Sequence, residues 1–170
     1  IYPKAEYIGI ADGASTNWSF LESHTTKQIT DFYHASEYLT KASHAIFKNT
    51  QEKDRINWLE AHCHQLKHDE NAVVDQLKEL KKLQDNQILS AANSEKLDTV
   101  ITYFTNQGPR MQYNQYRKEN LPIGSGVTEA ACKTTIKQRL WVEQRVQIQI
   151  ALRSRQGINF LIMSGVDGQY

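Results

Sequence analysis

The sequence predicts an α/β fold with a large helical insertion, and three features of its 170 residues indicate this fold. The first 34 residues contain two short apolar runs on either side of a helix-like stretch, which is typical of a unit that builds a sheet. Residues from about 35 to 105 instead repeat apolar side chains at spacings of three and four, which is typical of amphipathic helices. A loop with Gly and Pro then precedes one more helical pattern.

The opening segment has the order strand, helix, strand. The apolar run from Tyr7 to Ala11 is short and stops at "DG", so it predicts a buried strand rather than a helix. The stretch "NWSFLESH" predicts a short helix. The stretch "KQITDFYH" predicts a second strand around Ile29 that ends near Asp31, with a helix from Ala35.

The helical block contains four apolar faces. Their members are Tyr38, Leu39, Ala42 and Ile46; Ile56, Leu59, Cys63 and Leu66; Val73, Leu77 and Leu80; and Leu97, Val100, Ile101 and Phe104. We expect breaks between helices near residues 49–50, 71 and 85–86, and at "NQGP" over 106–109.

The loop "NLPIGSG" turns the chain before the last predicted helix. Ser125 is a candidate N-cap, because its hydroxyl could accept a hydrogen bond from the first helical turn. Glu129 follows in or next to that turn, where the helix dipole favours its ionised form. Glu129, Lys133 and Lys137 recur every four residues and therefore share one helical face.

Composition and charge exclude several classes of protein. A content of 39% hydrophobic and 23% charged residues argues against disorder. No apolar run approaches the roughly 20 residues of a membrane helix, and two cysteines make no disulfide framework, so the expected location is the cytoplasm. The net charge is only +1, but residues 110–155 carry nine Lys and Arg against three Asp and Glu. This basic third is expected either to face phosphates or to form a solvated helix surface.

Three groups of polar residues are candidates for a site. Asp12 follows a buried strand, where open α/β sheets bind ligands, although Asp-Gly also marks ordinary turns. Asp31 repeats this arrangement, with His34 three residues later, and its alternative role is the N-cap of the next helix. His64 and His68 lie one helical turn apart, but no second cluster in the sequence completes a tetrahedral zinc site, so surface histidines are the simpler interpretation.

These segments resemble a known family. "ADGA", "DFYHASEYL" and "RMQYNQYRKENLPIGSGVTEAACKTTIKQRL" are similar to segments of bacterial insertion-sequence transposases of the DDE superfamily, in the Kra-type group. The similarity runs from about residue 5 to 140. It implies a partial ribonuclease-H-like core, its C-terminal half, with a mainly helical insertion. The implied segments are 1–34 for strand-helix-strand, 35–108 for the insertion, 109–140 for the loop and acid-bearing helix, and 141–170 for a divergent tail.

In that family two Asp and one Glu hold two Mg²⁺ ions, which assist cleavage and transfer of DNA strands. The resemblance implies that Asp12 is the second acid and Glu129 the last, both binding metal. Asp31 and His34 would support the site from beside it. The residues expected to contact DNA phosphates are Lys133, Lys137 and Arg139.

The sequence departs from the family at both ends. The first Asp of the family lies on a strand well upstream of "ADGA", so we expect the chain to be a fragment that is inactive alone. After residue 140 the tail differs from the family, which predicts a change of reading frame there. The complete enzyme is expected to act on transposon ends as a homo-oligomer, away from membranes. The alternatives are a non-enzymatic helical remnant that binds DNA or protein, and a metal-dependent nuclease with the same core.

Overall fold

The structure is a computed structural model that describes residues 6–86, 89–124, 150–154 and 157–163, the last two ranges as backbone strands. The chain divides into two compact units. The first combines Ile1–Tyr33 with Pro122–Tyr170, and the second is His34–Leu121. The fold is mixed α/β with helices dominant, so the predicted fold class is confirmed at this level.

A mixed sheet forms the centre of the first unit, with strand order β2-β1-β3-β4. Strand β1 (Glu6–Ala11) pairs in parallel with β2 (Lys27–Thr30), and both strands are predicted from the sequence. Strand β3 (Ile150–Ser154) runs antiparallel to β1, while β4 (Gly157–Met163) pairs antiparallel with β3 and parallel with the end of β1. The last two strands lie in the predicted divergent tail, so the sheet is larger than expected.

Helix α1 (Ser15–His24) packs against β1. Trp18 and Leu21 form a buried cluster with Ala11, the last residue of β1. Gly9 permits this close approach, because a Cβ atom there would come within 2.7 Å of the Leu21 side chain. The prediction of a buried first strand is therefore confirmed by its packing.

The second unit is built of helices. They are α2 (Phe32–Ile46), whose first two residues belong to the first unit, α3 (Glu52–His68), α4 (Ala72–Asn86), α5 (Ala91–Gln107) and α6 (Tyr113–Lys118), with 3-10 turns at Asn49–Gln51 and Gly108–Arg110. The predicted breaks fall where these helices end. Asn71 separates α3 from α4 with a φ of 60°, a left-handed conformation that asparagine tolerates. The helical unit continues to Leu121, beyond the predicted end of the insertion at residue 108.

The core of the helical unit follows the predicted spacing in α2, α4 and α5. Its fully or nearly fully buried apolar members include Ala35, Leu39, Ala42, Leu66, Val73, Leu80, Leu97, Val100 and Phe104. One expectation is wrong: Ile56 is 39% exposed, because α3 buries the side that carries His62 and Leu66. Among the helices described, none has the length and apolar character that crossing a membrane requires.

Candidate metal-binding site

Asp12 and Asp31 lie at the carboxyl ends of neighbouring parallel strands. The backbone amide of Asp31 donates a hydrogen bond of 2.8 Å to the carbonyl of Ala11, so the residue after β2 adjoins the last residue of β1. Asp31 is only 6% exposed, and Asp12 is partly buried. Open α/β sheets bind ligands outside this edge.

Hydrogen bonds fix the orientation of the Asp12 carboxylate. Its Oδ1 accepts from the amide of Ala14 at 3.0 Å and from Nδ2 of Asn17 at 3.1 Å, and Asn17 is itself buried. The backbone turns at Gly13, whose φ of 113° favours glycine. These contacts are those of an ordinary Asp-Gly turn, and a hydrogen-bonded carboxylate is also what a metal ligand requires. Asn17 was not predicted from the sequence, although it lies only five residues after the acid.

Asp31 caps helix α2. Its Oδ1 accepts a hydrogen bond of 2.8 Å from the amide of Tyr33, in the first turn of the helix. The cap interpretation is therefore confirmed, although the helix begins at Phe32 and not near Ala35. A supporting role of Asp31 at a metal site stays a prediction.

The loop that leads toward Glu129 meets the same end of the sheet. The amide of Phe32 donates a hydrogen bond of 2.8 Å to the carbonyl of Ile123. A Cβ atom on Gly124 would lie 2.8 Å from the Tyr33 ring and 3.3 Å from Oδ1 of Asp31. The described part of the loop therefore ends beside Asp31 and Tyr33, where a side chain larger than that of glycine would meet them.

Most of the expected ligands and DNA contacts lie outside the described residues. They are Glu129, Lys133, Lys137 and Arg139. The distance from Asp12 to Glu129, on which the metal site depends, accordingly stays a prediction. Within the described ranges, no three His, Cys, Asp or Glu residues come together in a way that could hold a metal ion.

His34 makes its contacts inside the helical unit. Its Nδ1 lies 3.2 Å from a carboxylate oxygen of Glu37, one turn further along α2. Its ring packs edge-to-face against Tyr38 and Tyr103, which stack on each other with centroids 3.7 Å apart. These contacts give His34 a packing role inside the helical unit. Its supporting role at a metal site stays a prediction.

The histidines of α3 are engaged in protein contacts. The rings of His64 and His68 stack with centroids 4.3 Å apart, and Nδ1 of His68 lies 2.7 Å from the guanidinium of Arg117. A guanidinium only donates hydrogen bonds, so His68 must accept with a neutral ring. Desolvation of the ring, followed by the positive charge of Arg117, lowers the pKa of His68.

His62 is buried between α3 and α4, a position that was not predicted from the sequence. Its Nδ1 lies 2.8 Å from the carbonyl of Trp58, its Nε2 lies 3.1 Å from Glu79, and its ring stacks on the indole of Trp58. The indole nitrogen of Trp58 donates to the same carboxylate at 3.2 Å. His62 therefore joins two helices and is not available as a surface ligand.

Comparison of the chain with protein-family models, with curated proteins and with solved structures finds no match. Any functional assignment must therefore rest on the sequence motifs and on the geometry at the carboxyl ends of β1 and β2. That geometry brings together Asp12, Asp31 and the loop up to Gly124.

Proposed function

We propose that this chain is part of a DDE transposase with a ribonuclease-H-like core, and that it supplies two of the three acids of the active site. Asp12 and Glu129 are the proposed metal ligands and catalytic residues. The observation that carries the proposal is the hydrogen bond from the Phe32 amide to the carbonyl of Ile123, which holds the loop beside Asp31 at the sheet end that also holds Asp12. The first acid of the family would come from a strand preceding residue 1.

Chain length supports the convergence of the two acids. Glu129 follows Gly124 by five residues, and five residues span at most about 18 Å when fully extended. The loop is hydrogen-bonded to the residue after Asp31 through Ile123, so a carboxylate five residues beyond Gly124 is within reach of the strand end that holds Asp12. The large separation of the two acids in sequence is therefore no obstacle to a shared metal site.

The donor set fits a hard divalent cation. Carboxylate oxygens suit Mg²⁺, which keeps several waters and binds phosphate groups at the same time. Asp12 and Glu129 would hold the Mg²⁺ ions, which when bound would supply activation of the attacking hydroxyl and stabilisation of the leaving oxygen at a DNA phosphate. Asn17 holds the Asp12 carboxylate in one orientation, and Asp31 is proposed to support the site. The residues proposed to contact phosphates are Lys133, Lys137 and Arg139.

The experiment joins the chain to an upstream Asp-bearing strand and assays cleavage of DNA that carries the ends of its element. We expect Mg²⁺-dependent cleavage that falls about 100-fold or more in Asp12→Asn and in Glu129→Gln, since loss of a ligand costs at least as much as loss of its outer-shell partner. Asp54→Asn, an exposed acid in the first turn of α3, is the matched control and should retain activity within about twofold.

Substantial Mg²⁺-dependent cleavage by Glu129→Gln would refute the proposed role of this residue. A non-enzymatic DNA-binding remnant, the alternative function, would bind the same DNA without Mg²⁺ and would be insensitive to both substitutions. A nuclease with the same core would cleave the DNA but would leave no strand-transfer product. The reaction products therefore distinguish a nuclease from a transposase.

A further inference from the structure

We propose that Asp31, Tyr33 and Gly124 form a clasp that positions the chain as it enters the acid-bearing segment. The clasp lies entirely within the first unit, at the carboxyl end of β2. The inference rests on the proposed function, because the acid positioned in this way is Glu129. The three members are positioning residues and need not touch the DNA.

The start of α2 supplies the hydrogen bonds of the clasp. The first amides of a helix have no partners within the helix and need acceptors from outside it. Oδ1 of Asp31 accepts from Tyr33, and the carbonyl of Ile123 accepts from Phe32, each at 2.8 Å. The loop backbone is therefore one of the groups that complete the N-terminus of α2.

Glycine at position 124 allows the loop to approach the helix this closely. A Cβ atom there would lie 2.8 and 3.0 Å from two ring carbons of Tyr33, and 3.3 Å from Oδ1 of Asp31. Tyr33 is 57% exposed, yet one part of its ring covers this glycine. A methyl group at residue 124 must therefore displace either the ring or the loop.

The clasp is connected to the strand that ends at Asp12. The amide of Asp31 donates to the carbonyl of Ala11, the residue immediately before Asp12. A displaced loop thus changes where the following segment starts relative to Asp12. Catalytic groups tolerate such displacements poorly, since a shift of about 1 Å can cost about 100-fold in rate.

The test measures binding of Mn²⁺ to the full chain by electron paramagnetic resonance titration. We expect Gly124→Ala to raise the Mn²⁺ dissociation constant about tenfold, the lower end of what outer-shell substitutions cost. Adding Tyr33→Ala removes the obstructing ring but keeps the backbone amide that donates to Asp31, so the double variant should return to within about threefold of wild type, and it also serves if Gly124→Ala alone fails to fold.

Gly108→Ala is the matched control, because its Cβ atom would meet a Val73 methyl at 3.0 Å in the helical unit. It should leave the Mn²⁺ dissociation constant within about twofold of wild type. A second readout is hydrogen exchange of the Phe32 amide, which donates to Ile123. We expect at least about threefold faster exchange in Gly124→Ala and no change in Gly108→Ala.

Two reference variants, Asp12→Asn and Glu129→Gln, separate failure of the clasp from failure of the proposed function. If both weaken Mn²⁺ binding while Gly124→Ala does not, the clasp is wrong and the proposed function stands. If Gly124→Ala weakens binding without faster exchange at Phe32, the clasp is also wrong. If neither reference variant weakens Mn²⁺ binding, the proposed metal site is wrong, and the proposed positioning role of the clasp is wrong as well.

Discussion

The contact between His68 and Arg117 depends on the protonation state of the imidazole. Desolvation of the ring, then the charges of Arg117, His64 and Lys67, lower the pKa of His68, while Asp69 raises it. The folded protein therefore binds this proton less readily than the unfolded chain does. The stability contributed by the contact is complete above about pH 6.5, the ordinary histidine value, and is lost as the pH falls through the pKa of the folded state.

Replacing Arg117 with an uncharged residue should raise the pKa of His68. In Arg117→Gln the positive charge is removed, so we expect the His68 midpoint to rise toward that of an ordinary histidine, measured by NMR titration of the ring protons. Arg110→Gln removes a charge from the helical unit without removing this contact, and should leave the midpoint unchanged. Identical His68 midpoints in wild type and Arg117→Gln would contradict the proposed origin of the shift.

At the scale of single residues, the sequence predicts the positions of the acids better than the residues that surround them. Asp12 and Asp31 follow buried strands as expected, because a short apolar run that stops at an acid is a local pattern. Asn17, His62 and the fully buried Gln76 were not predicted to be buried polar residues. The burial of His62 and Gln76 depends on partners distant in sequence, such as the carbonyl of His62 that accepts from Gln76 at 2.7 Å.

Helices α3 and α4 are joined by a polar cluster of Trp58, His62 and Glu79. The carboxylate of Glu79 accepts from the Trp58 indole and lies 3.1 Å from Nε2 of His62, whose side chain is only 7% exposed. Removal of the carboxylate leaves the Trp58 indole N–H without its acceptor and removes the negative charge beside the nearly buried Nε2, which itself makes no hydrogen bond. Loss of one partner of a partly buried hydrogen bond costs free energy.

We therefore expect Glu79→Ala to lower the free energy of unfolding by about 1–2 kcal/mol, measured by urea denaturation followed through tryptophan fluorescence. Lys78→Ala is the neighbouring control, since its side chain is 73% exposed and its ion pair with Asp75 is on the surface. The control should change the free energy of unfolding by less than about 0.5 kcal/mol. Equal effects in the two variants would show that the cluster contributes nothing specific.

Individual elements were predicted well where periodicity is strong. The sequence placed β1, β2 and the long helices correctly and ended β2 near Asp31, but it began the next helix only near Ala35, after Phe32 and Tyr33, which favour strands by propensity. The cap provided by Asp31 starts the helix there instead. Strands β3 and β4 were missed because their segment differs from the family, although "GINFLIM" is a short apolar run of strand type.

At the scale of the whole chain, the residues of the helical unit lie, in sequence, between the two segments of the first unit. The chain leaves the first unit after Tyr33 and returns to it at Pro122. Sequence periodicity cannot predict that the returning loop lies beside Asp31, because this contact joins residues about 90 positions apart. Only the motif resemblance indicates that such distant acids act together, and the structure adds the described loop contact that supports it.

The most direct measurement is a crystal structure of the full chain grown with Mn²⁺ and phased on the anomalous signal of the metal. Paired ions in such sites lie about 3.5–4 Å apart, so the Asp12 and Glu129 carboxylates should bind the same ion and approach within roughly 4–8 Å. A well-ordered structure in which the two side chains face separate regions of solvent would contradict the shared metal site, and with it the assignment to strand-cleaving enzymes.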